Sequence, residues 1–325
     1  MHPAFSVIFL TTLIGAGQGL FLALFTVESY AAFDLLPRQS SRFYALGSAL
    51  ALGFLVAGLI ASFFHLGHPE RAWRSAVKWR TSWLSREVIA LPAFMGTVFL
   101  YGAAHFTGFN PTLATLPTGA PVSLTAILGV AGTVLAFALF LCTAMIYACL
   151  RFLQEWHTPL TVVNYILLGG ASGFMLATVF AAAAAPQVAG FYAGWTTILS
   201  VLALVGRAAS LLRNARLKPK SSLRTAIGVK HPRIVQKAQG AMGGSFNTRE
   251  FFHGRRGFFL RQVKWLFLVL TFPLPLALLA AGAATGSAAL LLGAFMVQYL
   301  GLIAERWFFF AQANHPQNLY YQAIS

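Results

Sequence analysis

Apolar residues in this chain fall into long uninterrupted runs, and polar residues gather in the breaks between them. A bilayer's hydrocarbon core takes about 20 helical residues to cross. Eight runs are long enough, at roughly 3–27, 43–64, 88–106, 122–150, 160–185, 188–212, 263–284 and 287–310. They show no alternation of period two, and backbone groups in lipid must find partners within their own segment, so helices are predicted and strands are not. The expected fold is all-α: one polytopic membrane domain over 1–325, a bundle of eight transmembrane helices with a long basic loop, 213–262, between the sixth and seventh. Pro37, Pro111, Pro117, Pro159 and Pro186 fall in or beside connections, where a missing N–H costs little. Pro273 and Pro275 fall inside the seventh run and predict a kink.

Composition agrees. Of 325 residues, 58% are hydrophobic and only 9% charged, against roughly 45–50% and about 25% in soluble domains. A water-soluble enzyme and a disordered polymer are both excluded. Two cysteines, Cys142 and Cys149, are too few for a disulfide framework or for an iron–sulfur cluster, which takes about four thiolates. No CxxCH haem attachment or HxxEH zinc motif occurs. The first run has no Lys or Arg before it and no cleavage pattern, so it reads as a retained span.

A net charge of +16 suggests nucleic acid until the charges are placed. Lys and Arg number two, five, none, one, none, fourteen (counted from Arg207 to Lys264) and none in the seven connections, with Arg306 in the last run. The even-numbered connections share a side with both termini, and the positive-inside rule makes that side cytoplasmic, in a bacterial inner membrane. Nucleic acid is not an expected partner. The sixth connection, with Arg213, Arg216, Lys218, Lys220 and Arg224, has two readings. One is contact with anionic lipid, worth about 1 kcal/mol per basic residue. The other is a docking arm for an acidic partner subunit, shared with Arg74, Lys78 and Arg80 of the second connection.

Ionisable residues inside spans are costly and usually functional. The second run closes on Phe64-His65-Leu66-Gly67-His68-Pro69-Glu70-Arg71, and Ser85-Arg86-Glu87 opens the third. His65, Arg71 and Glu87 are therefore expected at one boundary, which Arg306 and Glu305 approach from the eighth run. This set suits a quinone head group. A ring carbonyl takes a hydrogen-bond donor, and turnover needs a group that passes protons near neutral pH, which imidazole does. Glu87 would relay a second proton, and Arg71 would orient it. The same residues, with Trp73, Trp79 and Trp83, also fit a plain interfacial belt, and spacing alone favours the belt. Gln18 and Gln298 are mid-span amides whose default role is helix–helix hydrogen bonding. Haem needs facing histidines at equal depth. His2, His65, His68, His157, His253 and His315 all lie at or beyond one boundary and His105 toward the other, so no haem is expected.

The stretch ASFFHLGHPERAWRS, followed by KWRTSWLSREVIA, resembles the membrane-anchor subunits of the dimethyl sulfoxide reductase type. The resemblance rests on His65-Leu66-Gly67, Pro69, Arg71-Ala72 and Ser85-Arg86-Glu87, with weaker echoes at Gly17-Gln18 and Glu305-Arg306. It covers the first hundred residues and the eight-helix plan; the basic sixth connection finds no counterpart. It implies a complex of three subunits in which a molybdopterin catalytic subunit and a ferredoxin-like iron–sulfur subunit sit on the anchor. It also implies a quinone site (ubiquinone or menaquinone), without haem, at His65, Arg71 and Glu87, with Ser85, Arg86, Gln18 and Arg306 around it. The reductase anchor carries its partners on the periplasmic face. The charge bias here points to the cytoplasm, as in the sulfite dehydrogenase complexes of sulfur-oxidising bacteria, so sulfite oxidation coupled to quinone reduction is the expected reaction. Alternatives are a quinol-oxidising reductase anchor, a haem-bearing quinol oxidase subunit, and a small-anion transporter, against which stands the lack of an inverted repeat. With the site toward the cytoplasm, quinone protons should exchange there and little charge should cross the membrane.

Overall fold

The computed structural model describes residues 1–115, 121–235, 237 and 250–320. Eight helices are long and apolar enough to cross a membrane: α1 (Phe5–Ala32), α2 (Ser41–Phe63), α3 (Trp83–Thr107), α4 (Leu124–Ala148), α5 (Pro159–Ala184), α6 (Pro186–Ala215), α7 (Gly257–Thr285) and α8 (Ala288–Ala311). Their starts are chemically marked. Ser40, Ser82, Ser123 and Ser287 accept the backbone N–H three residues on, satisfying donors that a helix leaves unpaired. Pro159 and Pro186 open α5 and α6, where a fixed φ helps and the lost N–H has no helical partner.

α7 is broken at Phe272 into Gly257–Thr271 and Pro273–Thr285. Proline disfavours the helical conformation in the residue before it, and Phe272 accordingly sits at φ −120° and ψ −79°.

One feature departs from an all-helical reading. A short antiparallel hairpin pairs Thr112–Thr115 with Pro121–Ser123 ahead of α4. These strands are too short to show a periodicity, and they lie in a connection rather than in a run. In the second connection, Pro69–Lys78 forms an exposed 3-10 helix. Of the segment predicted as a loop at 213–262, the two ends belong to α6 and α7, and Leu223–Ile227 forms a short helix capped reciprocally by Ser222 and Thr225. Residues 236 and 238–249 lie outside the described residues.

α1 and α5 form the centre of the bundle. α1 touches α2, α4, α5 and α8, while α5 touches α1, α4, α6 and α8. They meet without intervening side chains: a Cβ on Gly173 would overlap backbone atoms of Gly19 and Leu20. Small residues let backbones approach this closely where lipid gives no hydrophobic drive to helix pairing. The outer helices turn Phe99, Val134, Val205 and Leu300 outward, a surface suited to hydrocarbon and not to water. With eight passes, both ends of the chain share a face with the second, fourth and sixth connections, hereafter the termini face.

Candidate functional site

Inside this apolar body, polar side chains from five helices meet around a cavity of about 20 Å³, room for roughly one water. Gln18 comes from α1, Glu87 from α3, Thr143 from α4, Tyr165 from α5 and Arg306 from α8. Glu87, Thr143, Tyr165 and Arg306 lie toward the termini face in their helices, and Gln18 lies at the middle of α1. Glu87 stands one turn into α3 and is 8% exposed. Thr143 Oγ1 donates to its Oε1 at 2.5 Å. Gln18 Nε2 donates to Ala136 O at 2.8 Å, bridging α1 to α4. The Arg306 guanidinium lies 3.8 Å from the centroid of the Tyr165 ring.

Behind Arg306 lies a buried ion cluster. Arg306 Nε is 3.6 Å from Glu305 Oε2, and Glu305 Oε1 is 2.8 Å from Arg207 Nε on α6. A second small cavity, lined by Glu155, Asn164, Tyr165, Arg207, Ser210, Glu305 and Arg306, borders it. The charge count assigns Arg207 to the sixth connection. The structure corrects this: Arg207 sits inside α6 and is 2% exposed, held there by its acidic partner on α8.

Of the predicted quinone residues, Gln18, Glu87 and Arg306 share the first cavity, and the others do not line it. Ser85 is buried in the first turn of α3. Arg86 turns back to the second connection, donating to Trp79 O (2.9 Å) and Arg80 O (2.8 Å) with its guanidinium over Trp83. His65 lies just beyond the last turn of α2, where partial desolvation lowers its pKa and favours the neutral ring. Arg71 pairs with Glu70 at 3.6 Å, and His68 Nδ1 lies 3.0 Å from the same carboxylate. Ending at Phe64, the residue before His65, an open apolar groove of about 340 Å³ between α1 and α2 is lined by Ser6, Phe9, Leu13, Ala57, Ile60, Ala61 and Phe64.

The predicted docking residues divide by what they bond. Arg74, Lys78 and Arg80 are exposed along and just after the 3-10 helix. Arg216 and Arg224 are exposed as well. Lys218 and Lys220 line an open groove of about 580 Å³ with Glu155, Asn214 and His315. Arg213 is engaged internally, donating to Gln154 O, Asn214 Oδ1 and His157 O and so closing the α4–α5 connection onto α6.

A family model described as the DMSO reductase anchor subunit (DmsC) matches residues 1–232. The chain belongs to that anchor-subunit family. It is also 58% identical over 325 residues, the full length of both chains, to a protein of Allochromatium vinosum named as a subunit of sulfite dehydrogenase. The family match spans Gln18, Glu87, Thr143 and Tyr165; Glu305 and Arg306 lie within the full-length similarity. Together with its eight spans, family membership makes the chain a multi-pass membrane protein.

This anchor has a second polar cluster, which the sequence does not announce, at the face opposite the termini. The Glu28 carboxylate accepts from Tyr101 Oη (2.5 Å) and Thr125 Oγ1 (2.7 Å), with His105 Nε2 at 3.4 Å. Asn110 holds Thr125 through both its side-chain amide and carbonyl, and the His105 ring stacks on Tyr44. An open cavity of about 260 Å³ reaches this cluster. The available signal was Glu28 itself, one residue beyond the expected end of the first run in a chain with seven acidic residues. Between the two clusters, Phe21 packs edge-on against Phe94 and Tyr101, with buried Leu24 beside it.

Proposed function

We propose that this anchor is the quinone-reactive member of a three-subunit molybdopterin/iron–sulfur oxidoreductase. It would pass electrons between a ferredoxin-like subunit and the quinone pool while the molybdenum partner oxidises sulfite to sulfate. The observation that carries the quinone reading is the meeting of Gln18, Glu87, Thr143, Tyr165 and Arg306 around one cavity inside the bundle. No purely structural need places a carboxylate there, since burying it costs free energy. Sulfite as substrate is supported by the full-length likeness to the Allochromatium vinosum protein and by the basic even connections, which favour a cytoplasmic docking face.

The residues fit a quinone by chemistry and by shape. The first cavity holds about one water and takes no ring. The α1–α2 groove is apolar and open, and ends at Phe64, next to His65 in the chain. A ring and its isoprenoid tail suit that groove. There His65 would donate to a ring carbonyl and Arg71 would orient the head group, while Ser85 and Arg86 at the start of α3 would support Glu87, which would supply a proton from within the bundle. A bound quinone supplies a two-electron, two-proton acceptor; the chain's own part is to orient it and move protons. Arg74, Lys78, Arg80, Arg216, Lys218, Lys220 and Arg224 would present a basic face to an acidic iron–sulfur subunit. The long 213–262 segment would add contact with anionic lipid, and both termini would be cytoplasmic.

The test is purification of the complex followed by His65→Ala and Glu87→Gln. Each is expected to abolish quinone-linked turnover while dye-linked oxidation of sulfite by the partner subunits persists. Full quinone activity in both variants would refute the site. The family's reductase members favour a second reading, quinol oxidation in the reverse direction. Copurifying subunits that reduce dimethyl sulfoxide and leave sulfite untouched would establish it.

A further inference from the structure

We infer that protons reach Glu87 from the termini face along an internal polar route through Glu155, the Asn164–Ser210 pair and the Arg207–Glu305–Arg306 cluster. Among the described residues, no matching route leads to the opposite face. The inference rests on the proposed quinone chemistry and deepens it.

Shared walls define the route. The cavity beside Glu87 and the second small cavity have Tyr165 and Arg306 in common. The second cavity and the open groove at the termini face have Glu155 in common. Asn164 Nδ2 donates to Ser210 Oγ at 2.8 Å within the middle section. Asn164 Oδ1 and Arg207 Nη2 find no protein partner there, although their residues are 5% and 2% exposed. Buried polar atoms of this kind are satisfied by bound water, and bound water passes protons.

A carboxylate stands at each end of the route. Arg207 and Arg306 outnumber Glu305, and the remaining carboxylates on these two cavities are Glu155 at the outer end and Glu87 at the inner end. A proton leaving Glu87 creates a carboxylate on the same cavity as the Arg306 guanidinium, so the charge left behind has a counter-ion in reach. At the outer end, burial raises the pKa of Glu155 above the ordinary carboxylate value, which suits a group that loads protons from water nearer neutral pH. In the other direction, Phe21, Leu24 and Phe94 fill the layer between Gln18 and Glu28 with apolar side chains. The Glu28 carboxylate meanwhile is held by Tyr101, Thr125 and His105.

The reaction balances without a further reagent. Two electrons from the partner's iron–sulfur clusters and two protons from the termini-face water convert quinone to quinol; Glu87 delivers one of the protons. Both protons and both electrons arrive from one side, so turnover separates no charge.

The experiment uses the whole complex in proteoliposomes with a pH-sensitive dye enclosed, comparing wild type with Glu155→Gln, Ser210→Leu and Glu87→Gln. Glu155→Gln should lower quinone-linked kcat, because reprotonation of Glu87 then limits turnover. The loss should be larger at high pH, with KM for quinone and dye-linked sulfite oxidation unchanged. Ser210→Leu, which fills the middle of the route, should behave likewise, and proton uptake should register on the termini side alone. Wild-type kcat and pH profile in Glu155→Gln, alongside a dead Glu87→Gln, would overturn the route and leave the quinone reading standing. Full quinone turnover in Glu87→Gln would overturn that reading and the route with it. A membrane potential built by quinone turnover would overturn the one-sided assignment. Glu155 lies in the α4–α5 connection, so its variant keeps the question open should Ser210→Leu not assemble.

Discussion

Arg207 on α6 and Glu305 on α8 meet at 2.8 Å with both side chains at most 2% exposed, joining two helices at the termini-side end of the bundle. Arg306 shares the same carboxylate at 3.6 Å, so one acid serves two guanidiniums. Removing one member of a buried pair typically costs about 3–5 kcal/mol because it strands the other. The two halves are unequal here. Arg207→Leu leaves Glu305 paired with Arg306, whereas Glu305→Leu strands two cations. The Glu305 variant should therefore lower the unfolding temperature of the detergent-purified protein more than the Arg207 variant, and the double variant should recover part of the loss. The opposite order would show that the cluster is not held by this shared carboxylate.

A second prediction concerns the α1–α5 seam. A Cβ on Gly173 collides with the Gly19 backbone, whereas one on Gly170 meets only Leu199 side-chain carbons, at 3.5 and 3.9 Å. Overpacking of this kind costs about 1–3 kcal/mol. Gly173→Ala should destabilise the protein clearly and Gly170→Ala hardly at all, as measured by thermal unfolding in detergent. Because Gly15 and Gly169 of the same seam line the first cavity, Gly173→Ala should also depress quinone-linked turnover. Equal stability of the two variants would mean that the helices do not approach this closely.

The eight spans were legible because lipid demands long apolar runs, and the runs here are unbroken. Their ends were less so. α1 continues through Glu28 to Ala32, since Ser29 and Tyr30 do not stop a helix, and an acid at the expected boundary gave no hint that Tyr101, Thr125 and His105 would surround it. Arg207 read as a loop charge because its partner Glu305 is distant in sequence and meets it only through the α5-centred packing of α6 and α8. Thr143 and Tyr165 are unremarkable residues within apolar helices, and only the bundle's neighbour order brings them to Glu87. Glu87 and Arg306 stand out as polar residues in or beside apolar runs, and Gln18 joins them through the Gly17-Gln18 resemblance; its hydrogen bond to Ala136 O is also the helix–helix link expected of a mid-span amide. Which of them share a cavity, and that His65 and Arg71 lie outside it, depends on helix rotation and on where α2 ends, neither of which a single sequence specifies.

The Thr143–Glu87 contact makes a third prediction. Valine is nearly isosteric with threonine but lacks the hydroxyl donor, and a hydrogen bond to a charged group is worth about 1.5–3 kcal/mol. If Glu87 handles a proton during turnover, Thr143→Val should reduce quinone-linked kcat by roughly ten- to a hundredfold. Thr143→Ser should restore most of it, and dye-linked activity should be equal in all three proteins. A loss in the serine variant as deep as in the valine variant would assign Thr143 a packing role instead.

Glu155 gives a prediction about stability and pH that does not depend on quinone. Burial raises its pKa above the ordinary 4.5, so across the window from that value up to the folded-state pKa the native protein holds a proton that the unfolded chain has released. Stability must then fall as pH rises through that window and level off above it. Glutamine has no such proton to lose. The difference in unfolding temperature between Glu155→Gln and wild type should grow in favour of the variant as pH rises from below 4.5 toward neutrality, then stay constant. The backbone donors around Glu155, the Met1 ammonium and Arg213 act in the opposite direction by favouring the carboxylate, which narrows the window without reversing its sign. Parallel profiles for the two proteins across this range would place Glu155 in an environment as wet as bulk solvent, and the outer end of the polar route would lose its proton-loading group.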